Sequence, residues 1–312
     1  MGRRLIECVP NFSEGRDRSK VEAIAASIRA TPRAVVLHIE MDEDHNRSVI
    51  TFAAPPETVG EAAVAAVAKA AELIDLTQHT GVHPRIGAAD VVPFVPLEGV
   101  TLEECVRVAE WTGVEIWRRL GVPVYFYEAA ARRADRRNLE NIRRGQFEGL
   151  REEAPVNADR APDIGGPAPH PTAGATVVGA RKFLIAYNIN LNTPDVTIAK
   201  AIAKTIRQSS GGLPCVKALG VMLKSRNLAQ VTMNLTDFET TPVHVVYNAV
   251  KREAKQYGVT IAGSELIGLI PKKALEMAAA AYLRIEEFDA LMILENRLNA
   301  AREQGDEHGA LS

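Results

Sequence analysis

One pattern restricts this chain more than any other: the order strand, helix, strand, strand, helix, strand is written twice. In the first half, "RLIECVP" (Arg4 to Pro10) is a short apolar strand, and "DRSKVEAIAASIRA" places Val21, Ile24, Ala25 and Ile28 at helical spacing. "AVVLHIE" and "RSVITFAAP" are β-branched runs parted by the acidic loop "MDEDHN", which reads as two adjacent strands. "PPETVGEAAVAAVAKAAELID" starts with prolines in its first turn and continues as a long helix, and "DVVPFVP" closes the series. After the middle of the chain "TVVGARKFLIAYNINL" reads as a strand and "DVTIAKAIAKTIRQS" as a helix with an acidic cap. "VKALGVML" and "AQVTMNLTDF" follow as strands, "PVHVVYNAVKREAKQYG" as a helix, and "VTIAGSELIGLI" as the last strand. This is the ferredoxin-like order in tandem, so the expected fold is α/β (α+β), with helices on one face of each sheet. The other faces then need cover, and two such sheets would bury them by facing one another, with a ligand cleft between.

Composition excludes several classes. Net charge is −2 and aromatic content 5%, so nothing resembles a nucleic-acid surface, and the basic run "RRADRRNLENIRR" (Arg132 to Arg144) reads as an amphipathic helix with a solvated face. The three cysteines, Cys8, Cys105 and Cys215, are too scattered for a disulfide framework or a zinc site. Glu7 and Pro10 break the first apolar run too early for a secretion leader, and "AAAAYL" is far too short to cross a bilayer. A reducing cytoplasm, with no membrane or nucleic-acid partner, is the expectation.

Familiar motifs are missing: no G-x-G-x-x-G follows a strand, "GATVVGAR" lacks the Lys-Ser/Thr ending of a phosphate loop, and neither H-E-x-x-H nor G-x-S-x-G occurs. His38, His45, His79 and His83 fit no standard ligand spacing, so no metal is expected. What remains is a set of polar residues near strand ends: Asn11, Ser13 and Glu14; Glu40, Asp42, Asp44 and His45; His83 and Arg85; Arg181, Lys182, Asn188 and Asn190. In "QHTGVHPRIGAADVVPF", Gly81 and Pro84 rule out a helix carrying both histidines. Rigid Pro84 and permissive Gly87 instead bracket His83 in a loop that can hold an imidazole still. The segment "APVNADRAPDIGGPAPHPTAGA" (Ala154 to Ala175) reads by composition as a linker, or else as an ordered loop laid against a flat ligand.

Four long stretches, "LIECVPNFSEG", "HTGVHPRIGAADVVPFVPL", "GARKFLIAYNINL" and "NLAQVTMNLTDFE", closely resemble the glutamate formimidoyltransferase (formiminotransferase) family, in order and from about Leu5 to the last helix. The resemblance implies an N-terminal subdomain over 1–175 and a C-terminal one over 176–312, enclosing a tunnel for folate, in a homodimer. It implies the stand-alone form, since the animal enzyme continues into a cyclodeaminase domain that this chain is too short to carry. The family's catalytic histidine falls on His83. Its folate-contacting segment falls on Asp163, Ile164, Gly165, Gly166, Pro167, Ala168, Pro169, His170, Pro171 and Thr172, which favours the ordered-loop reading. Glu40 stands where the animal enzyme has an aspartate beside the histidine, and Ala173 where it has a tryptophan.

The implied reaction moves a formimidoyl group between the N5 nitrogen of a tetrahydrofolate and the α-amine of L-glutamate, without metal. His83, titrating near neutrality, would serve as acid and base, and Glu40 would favour the cationic transferring group. Asn11 and Asn188 are candidate polar contacts, and Arg85, Arg181 and Lys182 candidate partners for the glutamate carboxylates. The alternatives are transfer from 5-formyltetrahydrofolate, and a folate-binding protein without catalysis.

Overall fold

The computed structural model describes residues 4–43, 45–81, 83–223 and 226–298. Its contacts divide the chain between Phe183 and Leu184, downstream of the junction expected at 175/176.

The first unit holds β1 (Leu5–Cys8), β2 (Asn11–Phe12), α1 (Arg18–Arg29), β3 (Val35–Asp42), β4 (Arg47–Ala54), α2 (Pro56–Leu73) and β5 (Ala89–Glu98). It continues with α3 (Leu102–Leu120), β6 (Val124–Glu128), α4 (Leu139–Ile142), α5 (Gln146–Glu153) and β7 (Thr176–Ala180). Strands β1 and β2 are one interrupted strand: both lie antiparallel between β4 and β5, with Glu7 opposite Ala53 and Val95, and Asn11 opposite Val49 and Val91. Pro10 sits at the break, where its missing N–H costs the ladder nothing. β3 pairs with β4 at the edge, so β5, β1/β2, β4 and β3 reproduce the ferredoxin-like order.

Local chemistry explains the helices. Asp17 caps α1 by accepting from the backbone of Ser19 and Lys20. Thr101 and Glu104 form a reciprocal capping box on α3, which ends at Gly121 in the left-handed conformation. Helices α1, α2 and α3 bury Phe12, Phe52, Phe94 and Phe126 against one sheet face. Each such side chain stabilises the fold by about 1.5–3 kcal/mol through burial.

Beyond the expected unit the sheet grows: β7 runs parallel to β5, and β6 parallel to β7. "TVVGARKFLIAYNINL" is therefore two strands, the first ending this sheet and the second opening the next. The other face of this sheet also carries cover. Val91, Tyr125, Tyr127 and Val177 pack there against Ile142, Leu150 and Ala154. The basic run is a short 3-10 turn and α4 rather than one solvated helix. Arg136 is buried, 2.7 Å from the equally buried Asp163 carboxylate and stacked on Tyr125. The face expected to be wet is partly core because these arginines find acceptors further along the chain.

The second unit holds β8 (Ile185–Leu191), α6 (Val196–Ile206), β9 (Val216–Leu223), β10 (Leu228–Leu235), α7 (Val243–Gln256), β11 (Ile261–Ile267) and α8 (Lys272–Leu283). Its four antiparallel strands run β11-β8-β10-β9, again the ferredoxin-like order. Ile185, Ile189, Leu191, Val231 and Leu235 are buried, as are Ile202 of α6 and Val246 of α7. The C-terminal stretch "FDALMILENRLNAAREQGDEHGALS", whose pattern predicts an amphipathic helix, forms a 3-10 turn at Ala290–Met292 and a helix over 294–298 among the described residues, and 299–312 lie outside them.

Candidate active site

Three loops at one end of the first sheet build the site. Gly15 N–H donates to Asn46 Oδ1, Asn46 Nδ2 to the Thr80 carbonyl, and Ser13 Oγ to the Gly87 carbonyl, all within 2.7–2.9 Å. Glycine is required at two crossings. A Cβ on Gly81 would stand 2.5 Å from the His45 carbonyl oxygen, and one on Gly87 2.1 Å from that of Ala175. The His79–Ala89 stretch is thus pinned on both sides without being helical.

His83 lies in this frame, half-buried, with Arg47 Nη1 3.1 Å from its Nε2. The guanidinium can only donate, so Nε2 presents its lone pair to Arg47. His45 stands edge-on at 6.2 Å between ring centroids, held by Asp42 at 2.5 Å. Burial, then Arg47, Arg143 and His45, push the His83 imidazolium down to about 2, opposed by a hydrogen bond with the Pro84 backbone. That lies well below the titration near neutrality expected from the sequence. His83 rests as a neutral base.

Two cations missed in the sequence face this histidine. Arg47 opens β4, donates its Nη2 to Asn11 Oδ1 and lies within Coulomb reach of Glu40 and Asp42. Burial above all, with Arg143 adding, lowers the Arg47 guanidinium to about 10. Arg143 pairs with buried Asp90, whose Oδ1 accepts from Ile86 N–H at 2.7 Å. The Nε atoms of both arginines are buried with no hydrogen-bond partner. Two guanidiniums kept partly unsatisfied beside a neutral base form a setting for an anion. Asn11, His45, Arg47, His79, His83 and Asp90 line a cavity there of about 10 Å³. That is room for about one water, far below the roughly 300–1,000 Å³ of drug-sized sites, so this cavity by itself holds no whole folate.

The remaining candidates are distributed. Glu40 shares a sheet face with Asn11, two strands over across β4, and its charged neighbour is Arg47 rather than His83. Arg85 is buried and committed to Glu148 by two bonds of 2.7 and 2.8 Å, to Gln146 and to His79 Nδ1 at 3.1 Å. Its fork braces the loop instead of reaching toward a substrate. Arg181 stands farther along the sheet, beside Glu7 and Tyr127, and Lys182 follows it near the end of the first unit. Burial raises Glu7 to about 7, with Arg181 opposing. Asn188 is in the second unit, on β8.

The segment Asp163–Thr172 belongs wholly to the first unit and is ordered. Asp163 and Ile164 donate N–H bonds to the Val124 carbonyl, and Asp163 Oδ2 accepts from Phe126 N–H at 2.8 Å. At its far end Leu76 N–H donates to Thr172 O, Ala173 N–H to His170 Nδ1, and His170 and Gly174 exchange backbone bonds. Gly165, Gly166, Pro167, Ala168, Pro169 and Pro171 lie between these clamps, and Gly165, Pro167, Ala168 and Pro171 are exposed.

Two ferredoxin-like units, the first with a half-buried histidine set beside two guanidiniums, define the class: an α/β protein with an imidazole held among cations. The formiminotransferase domain model for the N-terminal subdomain matches residues 5–181, and the model for the remainder of that domain matches 186–301. A glutamate formimidoyltransferase of Streptococcus pyogenes serotype M1 is 46% identical over 95% of this chain and 99% of its own. One from Thermoplasma acidophilum is 46% identical over 95% and 98%. The formimidoyltransferase-cyclodeaminase of Sus scrofa is 46% identical over 91% of this chain but 53% of its own. The chain belongs to the formiminotransferase family.

Proposed function

We propose that the protein is a glutamate formimidoyltransferase that moves HN=CH– between N5 of a tetrahydrofolate and the α-amine of L-glutamate. The observation that carries this reading is 46% identity to two proteins of that name over nearly the full length of all three chains. The His83 geometry supplies the chemistry. Toward glutamate, the amine attacks the formimidoyl carbon to give a tetrahedral carbon bearing three nitrogens. His83 Nε2 takes a proton from the incoming nitrogen and returns one to N5 as the carbon–N5 bond breaks.

A base depressed to about 2 returns a proton readily but accepts one poorly. An arriving carboxylate corrects this by neutralising Arg47 and Arg143, which raises the imidazolium toward neutrality. The glutamate carboxylate is thus assigned to Arg47 and Arg143, with Asn11 holding Arg47 in place. Glu40 steadies the cationic transferring group, and Asp163–Thr172 receives the folate. Arg181 and Lys182 are left for the acidic tail of the folate. Among the described residues no cluster of three or more His, Cys, Asp or Glu could hold a metal, and none of these steps calls for one. No helix among them is long and apolar enough to cross a membrane.

The reading extends to a cytoplasmic homodimer, whose contact we assign to the exposed Leu275, Tyr282 and Leu283 of α8. Light scattering at micromolar concentration should return twice the chain mass, and a clean monomer would contradict it. The decisive assay uses synthetic 5-formimidoyltetrahydrofolate with and without glutamate. Formimidoylglutamate should appear only when both are present. Turnover confined to 5-formyltetrahydrofolate, or folate binding with no turnover, refutes the assignment.

A further inference from the structure

Arg143 reaches Asp90 and the surroundings of His83 from a short platform. It follows directly on α4, a helix of four residues, and Gly145 and Gln146 beyond it both take positive φ, 79° and 56°. A single helical turn has no ladder to hold it, and its last carbonyls are left without intrahelical partners. Where those carbonyls find donors decides whether Arg143 has a fixed origin.

They find one side chain. Arg160 Nη1 donates to the carbonyls of Asn141 and Ile142, both at 3.3 Å, and Nη2 donates to that of Arg144 at 2.6 Å. The fork thus grips the backbone on both sides of Arg143, and among the described residues no other donor reaches these three carbonyls. Arg160 is itself fixed. It is 7% exposed, Glu153 Oε2 stands 3.0 Å from its Nε, and its own carbonyl accepts from Tyr125 Oη at 2.5 Å. Neither Arg160 nor Glu153 lines the cavity at His83. The contacts run from Arg160 to the backbone around Arg143, from Arg143 to Asp90, and from Asp90 to Ile86 N–H, three residues past the histidine.

We propose that Arg160 is a positioning residue for the reaction at His83, acting only through Arg143: its fork sets the turn from which Arg143 reaches Asp90 and the histidine. A planar group with two donor ends can hold carbonyls on either side of one residue, whereas an ammonium keeps the charge and loses the fork. The consequence for turnover rests on the assignment of the glutamate carboxylate to Arg47 and Arg143.

The test compares Arg160→Lys, Arg143→Gln and the double variant in the full chain, each checked for a cooperative melt. It reads glutamate KM against kcat, and the NMR resonance of the Arg143 side-chain Nε–H, assigned by its loss in Arg143→Gln. That nitrogen is buried without a hydrogen-bond partner, so its exchange with water reports how firmly Arg143 is seated. Arg160→Lys should raise the KM for glutamate about tenfold and change kcat less, shift the resonance and speed its exchange. In the Arg143→Gln background it should add nothing to KM. An unmoved resonance, an unmoved KM in active protein, or a KM effect equally large in the Arg143→Gln background overturns the inference. Should Arg160→Lys not fold, Glu153→Ala, at a half-exposed position, decides: it removes the charge that seats the fork and should move both readouts the same way, with KM up about twofold, and no shift overturns the inference. Wild-type protein that transfers no formimidoyl group overturns the functional reading, and the Arg143 resonance then decides the positioning alone.

Discussion

The two sheets share a strand order and differ in what they carry. On the first, Asn11 and Arg47 lie beside His83, with Glu40 near Arg47 and Glu7 farther along the sheet, and Glu7, Arg47 and His83 are held away from their ordinary titration. On the second, Asn188, Asn190 and Gln230 are amides that neither gain nor lose protons in the physiological range. One strand order, used twice, carries shifted titratable groups on the first sheet and a buried amide pair, Asn190 and Gln230, on the second.

The largest expected effect breaks the first face. His83→Asn removes the imidazole bonded to Arg47 and should cost roughly 10²–10⁴-fold in kcat, while 5-formyltetrahydrofolate still binds. Normal turnover by that variant would move catalysis off this face altogether. Next comes Arg47→Gln, which should raise the KM for glutamate by about tenfold to a hundredfold, the worth of a charge-assisted hydrogen bond. In NMR titrations the same change should raise the His83 pKa, because a cation that opposes its protonation is gone. A glutamate KM that stays put would hand the carboxylate to another cation.

Glu7→Gln sharpens the contrast in stability rather than rate. The folded carboxyl titrates at about 7 against an ordinary 4.5, so its proton stabilises the fold below 4.5, and that stability is lost as pH rises through 7. The Gln variant should match wild type at pH 4.5 and gain on the order of 2 kcal/mol at pH 8 in denaturant melts. His83 runs the other way. Depressed from 6.5 to about 2, it costs the fold stability as pH falls below 6.5, and His83→Asn should blunt that acid loss. The smallest effect belongs to His79→Asn: its Nε2 is bonded to the Asn46 carbonyl and its Nδ1 to Arg85, so activity should stay within roughly threefold.

The doubled strand–helix order was legible because hydrophobic period and turn residues are local properties. The β6 and β7 extension was not, since "TVVGARKFLIAYNINL" is interrupted only by Arg181 and Lys182, and its division depends on which sheet each half joins. His83 stood out by its proline and glycine neighbours. Arg47 did not: "HNRSV" looks like an ordinary strand start, and only the folded loops bring it to the histidine. Arg85 misled for the complementary reason, because its partner Glu148 is remote in sequence and a buried fork shows no signature of its own.

The clamps on the Asp163–Gly174 segment bear on how fast a ligand could be taken up. A surface loop that must fold over its ligand adds a slow unimolecular stage, visible as a rate that levels off with concentration. Here the backbone is stapled at Val124 on one side and at Leu76 and His170–Gly174 on the other, and Pro167, Pro169 and Pro171 stiffen the span between. Little ordering is left for arrival, so stopped-flow traces for folate should be single exponentials whose rate climbs linearly with ligand, with residence time set by departure alone.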